Sequence, residues 1–383
     1  MLKAAGDNAR AGHYVAQSTG YKAFIPKPLP PDPPVQLSPE LQRDLSNADR
    51  ALGRLDGSVE TLPHPNLFVY MYVRKEAVLS SQIEGTQSSL QDLLAAEAHL
   101  AEGVPSDVDE VVNYVRAMNL GLERLPELPM SIRLIREIHR ELMKGARGQH
   151  LTPGELRQSQ NWIGPAGSTM ADATFVPPPP HEVPSLLGDL ETFLHREDDL
   201  PLLIKIGLAH AQFETIHPFL DGNGRIGRLL ITFLLCERQT LKKPVLYLSH
   251  YFKKHRQRYY ELLQAIRDDG DWENWLAFFL QGVAEISVEA ANTAKRILVL
   301  REDHRRKINE HLGRTAGNGH KVLEQLYEKP IVSVDDVRAI TGTTFQAANV
   351  IVQRLVGLEI LKEMTGRARN RRFLYAPYVA LFT

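Results

Sequence analysis

Residues 217–230, HPFLDGNGRIGRLL, constrain this chain more than any other stretch. Gly222 and Gly224 flank Asn223 and permit positive φ, the mark of a tight turn. Beyond the turn, Ile226, Leu229, Leu230, Phe233 and Leu234 recur at i, i+3, i+4, i+7 and i+8, which predicts a helix over 223–238 with one buried face. Asn223 is expected to cap it. Arg225 and Arg228, three residues apart, share its polar side near the N-terminus. Cations there oppose the helix dipole, so helix stability does not explain them; an anionic ligand does. The backbone of Gly222, Asn223 and Gly224, with the forks of Arg225 and Arg228, therefore reads as a polyphosphate cradle. Asp221 at its mouth is the candidate Mg²⁺ ligand, because a carboxylate beside phosphates calls for a cation between them. His217 precedes a proline, which predicts extended backbone. It is the candidate proton acceptor. Phe219 reads as a core anchor.

The 383 residues suggest two or three domains, and 43% hydrophobic with 24% charged residues is the mix of a soluble globular chain. A formal net charge of -1 gives no overall bias toward nucleic acid or membrane. The single cysteine, Cys236, cannot form an intramolecular disulfide and is expected to pack as a small hydrophobe. No signal peptide or membrane-spanning run is expected, and a cytoplasmic location fits.

Periodicity makes the chain mainly α. Residues 1–37 read as an extended proline-rich arm, with IPKPLPPDPP as polyproline II. Ser38 and Pro39 open a helical region over 38–125. Within it a helix is predicted over 66–84, stopped by Gly85 as a C-cap. Further helices are expected at 87–99, 107–123, 131–144, 183–195, 201–216, 251–267 and 271–303, and a β-hairpin at 159–180. GRTAGNG (313–319) reads as a linker. The segment after it gives a helix, a helix–turn–helix around Thr341–Thr343 and two short strands about a basic turn. That is the winged-helix pattern, expected over 304–383.

HPFLDGNGRIGR matches every fixed position of His-x-Phe-x-(Asp/Glu)-Gly-Asn-Gly-Arg-x-x-Arg, and so resembles the signature of the Fic family of protein adenylyltransferases. The resemblance covers about 38–300, and an appended winged helix is common in that family. It implies a Fic-type helical core over 126–303 that moves AMP from ATP, with Mg²⁺, onto a Ser, Thr or Tyr hydroxyl of a target protein. By that resemblance His217 is the general base, Asp221 the Mg²⁺ ligand, and Gly222, Asn223 and Gly224 the anion loop. Arg225 and Arg228 hold the β- and γ-phosphates. Thr174, Phe175 and Val176 fall on the family's flap, which grips a target segment by strand pairing. Tyr259 and Tyr260 line the base and ribose, and Arg267 stands where some relatives place asparagine. Self-association to a homodimer is frequent in the family.

A second stretch, SSQIEG (80–85), places Glu84 at the wrong end of a helix dipole, with Ser80 four residues earlier to orient it. Ser80, Glu84 and Gly85 resemble the family's inhibitory motif, (Ser/Thr)-x-x-x-Glu-(Gly/Asn). The resemblance implies an inhibitory helix over 66–85 whose glutamate pairs with Arg228 and spoils seating of the γ-phosphate. Two other readings remain: removal of AMP from a modified protein, and a DNA-binding regulator. For the second, the wing offers Arg367, Arg369, Arg371 and Arg372, but the recognition helix offers only Thr344, Gln346, Asn349, Gln353 and one base, Arg354. Doc-type phosphoryl transfer fits less well, because those relatives depart from the motif where this chain keeps Gly224 and Arg228.

Overall fold

A computed structural model of the chain describes residues 10–17, 20–62, 65–98, 100, 105–145, 152–165, 167–367 and 369–382. The first nine residues of the expected arm, Ala166 of the expected 159–180 hairpin and Ala368 of the wing turn lie outside them.

The arm is not simply extended. β1 (Gly12–Ala16) and β2 (Lys22–Pro26) form an antiparallel hairpin in which Tyr14 faces Phe24. Its outer edge continues into the core: the Phe24 N–H donates to the Val176 carbonyl at 3.0 Å. The pairing that fixes this hairpin is therefore long-range, and no local alternation announces it.

α1 (Pro39–Glu60) starts at Ser38, whose hydroxyl accepts from the Leu41 N–H. Its buried residues Leu41, Ala48, Leu52, Leu55 and Val59 make one stripe, and the helix packs along α11 (Trp272–Leu312). Between them in sequence come α2 (Pro65–Ile83), α3 (Leu90–Glu97), α4 (Val108–Arg124), α5 (Ile132–Leu142) and α6 (Val183–His195). They are followed by α7 (Leu202–Ile216), α8 (Asn223–Glu237), α9 (Ser249–Lys254) and α10 (Arg256–Asp269). α7 and α8 are buried almost all round, as central helices must be. The expected helix over 251–267 is two helices, broken at His255. Among the described residues the expected hairpin at 159–180 is reduced to one antiparallel bridge, Ile163 with Phe175, because a proline run follows at once.

α11 carries the chain without interruption into the C-terminal part. The expected linker 313–319 is instead a 3₁₀ turn and the start of α12 (Ala316–Leu326). Gly319 belongs to packing, not to a hinge: a Cβ there would strike Leu312 and Ile308. β3 (Ile331–Ser333), α13 (Val334–Thr341), α14 (Phe345–Gly357), β4 (Lys362–Glu363), β5 (Arg372–Leu374) and α15 (Ala376–Val379) follow. The sheet order β3-β5-β4 sets a helix–turn–helix beside a two-stranded wing, consistent with the winged-helix expectation. The fold is mainly α throughout, and no described helix is long and apolar enough to cross a membrane.

Candidate active site

The loop from α7 to α8 is built by long-range contacts. His217 is not extended; it terminates α7 in the left-handed region, φ 49 and ψ 60, and its N–H donates to the Phe213 carbonyl at 3.0 Å. The preference of a residue before proline is overridden by the helix end and by Arg157, whose Nε donates to the His217 carbonyl at 2.9 Å. Asn223 does not cap α8. Its Oδ1 accepts from the Phe219 N–H and its Nδ2 donates to the Phe219 carbonyl, both at 2.8 Å, so it closes the loop, and Gly222, at φ 77, takes the cap position. Phe219 is buried as expected and lies flat on the His139 ring at 3.7 Å. His139 Nδ1 accepts from the Gly154 N–H, which leaves the proton on Nε2 to donate to the Asp221 carbonyl at 3.0 Å. Burial pulls His139 down to about 4, so the imidazole stays neutral and keeps this tautomer.

A cavity of about 510 Å³ opens beside the loop. His217, Gly224 and Arg228 line one side, Tyr259 and Tyr260 another, and Glu84 its rim. Burial first, then the charges of Arg157 and Arg267, pull His217 down to about 4. At neutral pH it is a free base, which is what a proton acceptor requires. Tyr259 is buried, and its hydroxyl donates to His210 Nε2 at 2.9 Å while His210 Nδ1–H donates to the Gly227 carbonyl. It packs the wall more than it offers a polar handle. Tyr260 is exposed to the cavity, with the Arg256 guanidinium 5.2 Å from its ring centre.

Glu84 meets Arg228. α2 ends at Ile83, and Gly85, at φ 102, completes a Schellman close: Thr86 N–H to the Ser81 carbonyl at 3.2 Å and Gly85 N–H to the Gln82 carbonyl at 3.2 Å. This turn puts Glu84 just beyond the helix, with Oε1 2.7 Å from Arg228 Nη2. Ser80 orients the arginine, not the glutamate: Nε donates to its hydroxyl at 2.8 Å and Nη2 to its carbonyl at 3.0 Å. Burial pushes the Glu84 carboxyl up, but Arg228 beside it outweighs that and holds it below its usual range. The carboxylate lies so close over Gly224 that a Cβ there would collide with Oε1.

Asp221 and Arg225 stand apart from the lining of this cavity. Arg225 is buried, 3.6 Å from Asp221 and 3.5 Å from Glu110. Asp221 is 46% exposed, and its Oδ1 accepts from the Gly222 N–H at 2.6 Å. Among the described residues no group of three or more His, Cys, Asp and Glu side chains could cage a metal. A single accessible carboxylate beside the expected anion loop is nonetheless a donor set Mg²⁺ accepts when phosphates and water complete its shell.

On the expected flap, Thr174 is exposed, but Phe175 and Val176 are buried. Phe175 already exchanges both backbone bonds with Ile163, at 2.8 and 3.0 Å, and Val176 accepts from Phe24. Phe175 packs beneath the Arg267 guanidinium, 3.7 Å from its ring centre. Arg267 also donates to the Thr215 hydroxyl and the Glu214 carbonyl, so it braces the flap against α7. Sequence reading missed His139, Arg157 and Glu214, whose partners are all remote backbone or cavity groups with no local pattern to expose them.

Residues 42–123 match the family model described as Fic/DOC family N-terminal, and residues 129–235 the one described as Fic/DOC family. A probable protein adenylyltransferase of Aquifex aeolicus is 30% identical over 176 residues, 45% of this chain and 51% of that protein. Protein adenylyltransferase Fic of Aedes aegypti is 31% identical over 176 residues, 45% of this chain and 30% of that protein. The same-named protein of Drosophila yakuba is 29% identical over 248 residues, 60% and 46% of the two chains. The matches thus span about half or less of the length of these curated relatives. A Fic family protein from Desulfovibrio desulfuricans superposes with a TM-score of 0.59 at 20% identity, covering 89% of this chain and 97% of that one. A Fic domain containing signaling protein from Bacteroides thetaiotaomicron gives 0.52 at 18% identity, with 67% and 95% covered.

Proposed function

Because this chain belongs to the Fic/DOC family, we propose that it is a protein adenylyltransferase that restrains itself through Glu84. The relatives named protein adenylyltransferase support transfer of AMP from ATP to a hydroxyl of a target protein. The observation that carries the reading is the 2.7 Å pair between Glu84 and Arg228 in a cavity that also holds His217 and Gly224. A fixed guanidinium and a helix N-terminus suit a triphosphate, and a neutral imidazole suits the incoming hydroxyl. His217 takes the proton of a Ser, Thr or Tyr hydroxyl as its oxygen attacks the α-phosphorus. The bond to the β-phosphate oxygen breaks, pyrophosphate leaves, and AMP stays on the target. Gly224 and Arg228 hold the outer phosphates and steady their charge. Asp221 would hold Mg²⁺, which when bound supplies further neutralisation of the phosphates. Glu84 occupies the arginine that the γ-phosphate needs, so the resting protein binds ATP in a poor pose.

A DNA-binding role for the C-terminal part has less support. Arg371 donates to Asn349, Arg372 pairs with Asp336, and Arg354 donates to the Leu312 carbonyl, while Phe345 and Val350 of α14 are exposed. Basic groups spent inside the fold and apolar ones turned outward suit a protein partner better than phosphates. The test of the main reading is to incubate the Glu84→Gly protein with a cell lysate and ATP labelled at either end. Label from α-labelled ATP and none from γ-labelled ATP supports adenylylation; the reverse pattern, or none from either, overturns it.

A further inference from the structure

We propose that Arg157 is a positioning residue for this transfer: it caps the C-terminus of α7 and so fixes the catalytic histidine's backbone, and the flap with it. The inference rests on the adenylyltransferase reading and adds a residue to it. Arg157 is 2% exposed, no carboxylate is among the groups that act on its charge, and its Nη1 is buried with no hydrogen-bond partner among the described residues. A buried cation without a counter-ion is costly, so its partners must explain it. They are all backbone carbonyls at one junction. Nε donates to His217, and Nη2 to Pro178 and, at 3.4 Å, to Ile216. Its own N–H donates to Pro218 at 3.0 Å.

Ile216 and His217 end α7, and Pro218 stops the helix from continuing. Their carbonyls have no partner within the helix, and the dipole there favours a cation. Arg157 supplies both the donors and the charge. It thereby holds His217 in a left-handed conformation that a side chain with a Cβ rarely adopts, φ 49, with the ring lining the cavity. The same guanidinium ties Pro178, at the exit of the flap, to the catalytic loop. Only a planar fork reaches these carbonyls together, so lysine would replace the charge and not the geometry.

The charge also faces the imidazole. Arg157 and Arg267 disfavour its protonation, while Glu84 favours it; the buried Glu214 stands one turn earlier on α7. Loss of Arg157 therefore has two consequences: a misplaced histidine, and one that protonates at higher pH.

The experiment compares Arg157→Gln and Arg157→Lys in the Glu84→Gly protein. It follows AMP incorporation from α-labelled ATP, ATP affinity by calorimetry, thermal stability, and the titration of the His217 ring by NMR. The expected result for Arg157→Gln is a fall in kcat of at least about tenfold with KM for ATP within about twofold. The acid limb and the His217 titration should move toward neutral pH, and Arg157→Lys should restore the titration more than kcat. An unchanged kcat, or a loss of ATP affinity and melting temperature with the His217 titration unmoved, overturns the proposal. If the Glu84→Gly parent transfers no AMP, the adenylyltransferase reading falls by itself. The positioning role is then judged on the titration, and an unmoved one overturns it.

Discussion

Glu84 Oε1 lies 2.7 Å from Arg228 Nη2, joining residues 144 positions apart, and it sits over Gly224, the one residue of the 222–224 turn that lines the cavity. The two partners differ in setting. Arg228 is almost fully buried and held twice by Ser80, whereas the Glu84 side chain is 37% exposed. The arginine is the fixed half of the contact and the glutamate the half that can leave.

Removal of Glu84 should therefore release activity without disturbing the arginine. The exposure of the carboxylate means solvent screening takes part of the Coulomb attraction. A residual restraint of about 1.4 kcal/mol still corresponds to tenfold, so Glu84→Gly should raise transfer by at least that much. Arg228→Ala should be weakly active, and adding Glu84→Gly to it should gain little, because contacting residues do not act additively. Rates of the four proteins form the cycle. Equal activation by Glu84→Gly in both backgrounds would mean that Glu84 acts elsewhere.

His217→Ala should lower transfer about 10²–10⁴-fold while ATP affinity stays close to that of the parent. The reason is that Arg228 is held by Ser80 and Glu84, with no hydrogen bond from His217, so removing the ring leaves the proposed phosphate grip in place. Calorimetry and label transfer on the same preparation check it. A parallel collapse of ATP affinity would make His217 a structural residue.

Asp221→Ala should abolish the Mg²⁺ dependence of nucleotide binding and leave the melting temperature almost unchanged. Its side chain is 46% exposed, accepts a local bond from Gly222 and lies 3.6 Å from Arg225, which keeps Glu110 at 3.5 Å as a second partner, so little of the fold rests on it. ATP titrations with and without Mg²⁺ decide the point, and an undiminished Mg²⁺ effect in the variant counts against the assignment.

The loop and its flanking helices were legible because each rested on local chemistry. The apolar period of 226–234, the glycine pair and the SSQIEG helix end are all readable within a dozen residues. α7 and α8 fall within a residue of their expected bounds, 201–216 and 223–238, for that reason. What stayed hidden depends on distant partners. His217 adopts the left-handed region because Arg157, 60 residues away, accepts the task of satisfying its carbonyl. Asn223 gives its side chain to Phe219 rather than to a helix cap. The hairpin 12–26 is pinned by Phe24 reaching Val176, and 313–319 is helical because Gly319 must pack against Ile308 and Leu312. Glycines in both places look the same in sequence whether they bend a linker or admit a neighbour.

The last prediction concerns Glu214, a carboxyl buried in the cavity wall with Oε1 lacking a hydrogen-bond partner. Burial pushes its pKa up to about 7, although Arg228 pulls the other way. The folded state therefore binds a proton over a window in which the unfolded chain, with an ordinary carboxyl near 4.5, has released it. Stability is full below about pH 4.5 and is lost as pH rises through about 7, a change of roughly 2–4 kcal/mol for this group alone. Glutamine carries the same shape and no titration. Glu214→Gln should thus leave the melting temperature nearly unchanged at pH 4.5 and raise it by several degrees at pH 8. The histidines pulled down by burial, His139, His210, His217, His304 and His320, titrate in both proteins and cancel in the difference, because Glu214 meets the nearest of them, His217, through its backbone, which glutamine keeps. Melts of the two proteins from pH 4.5 to 8 give that difference directly. A gap that does not grow with pH would mean Glu214 is ionised in the folded state throughout, held by Arg228 more firmly than its burial resists.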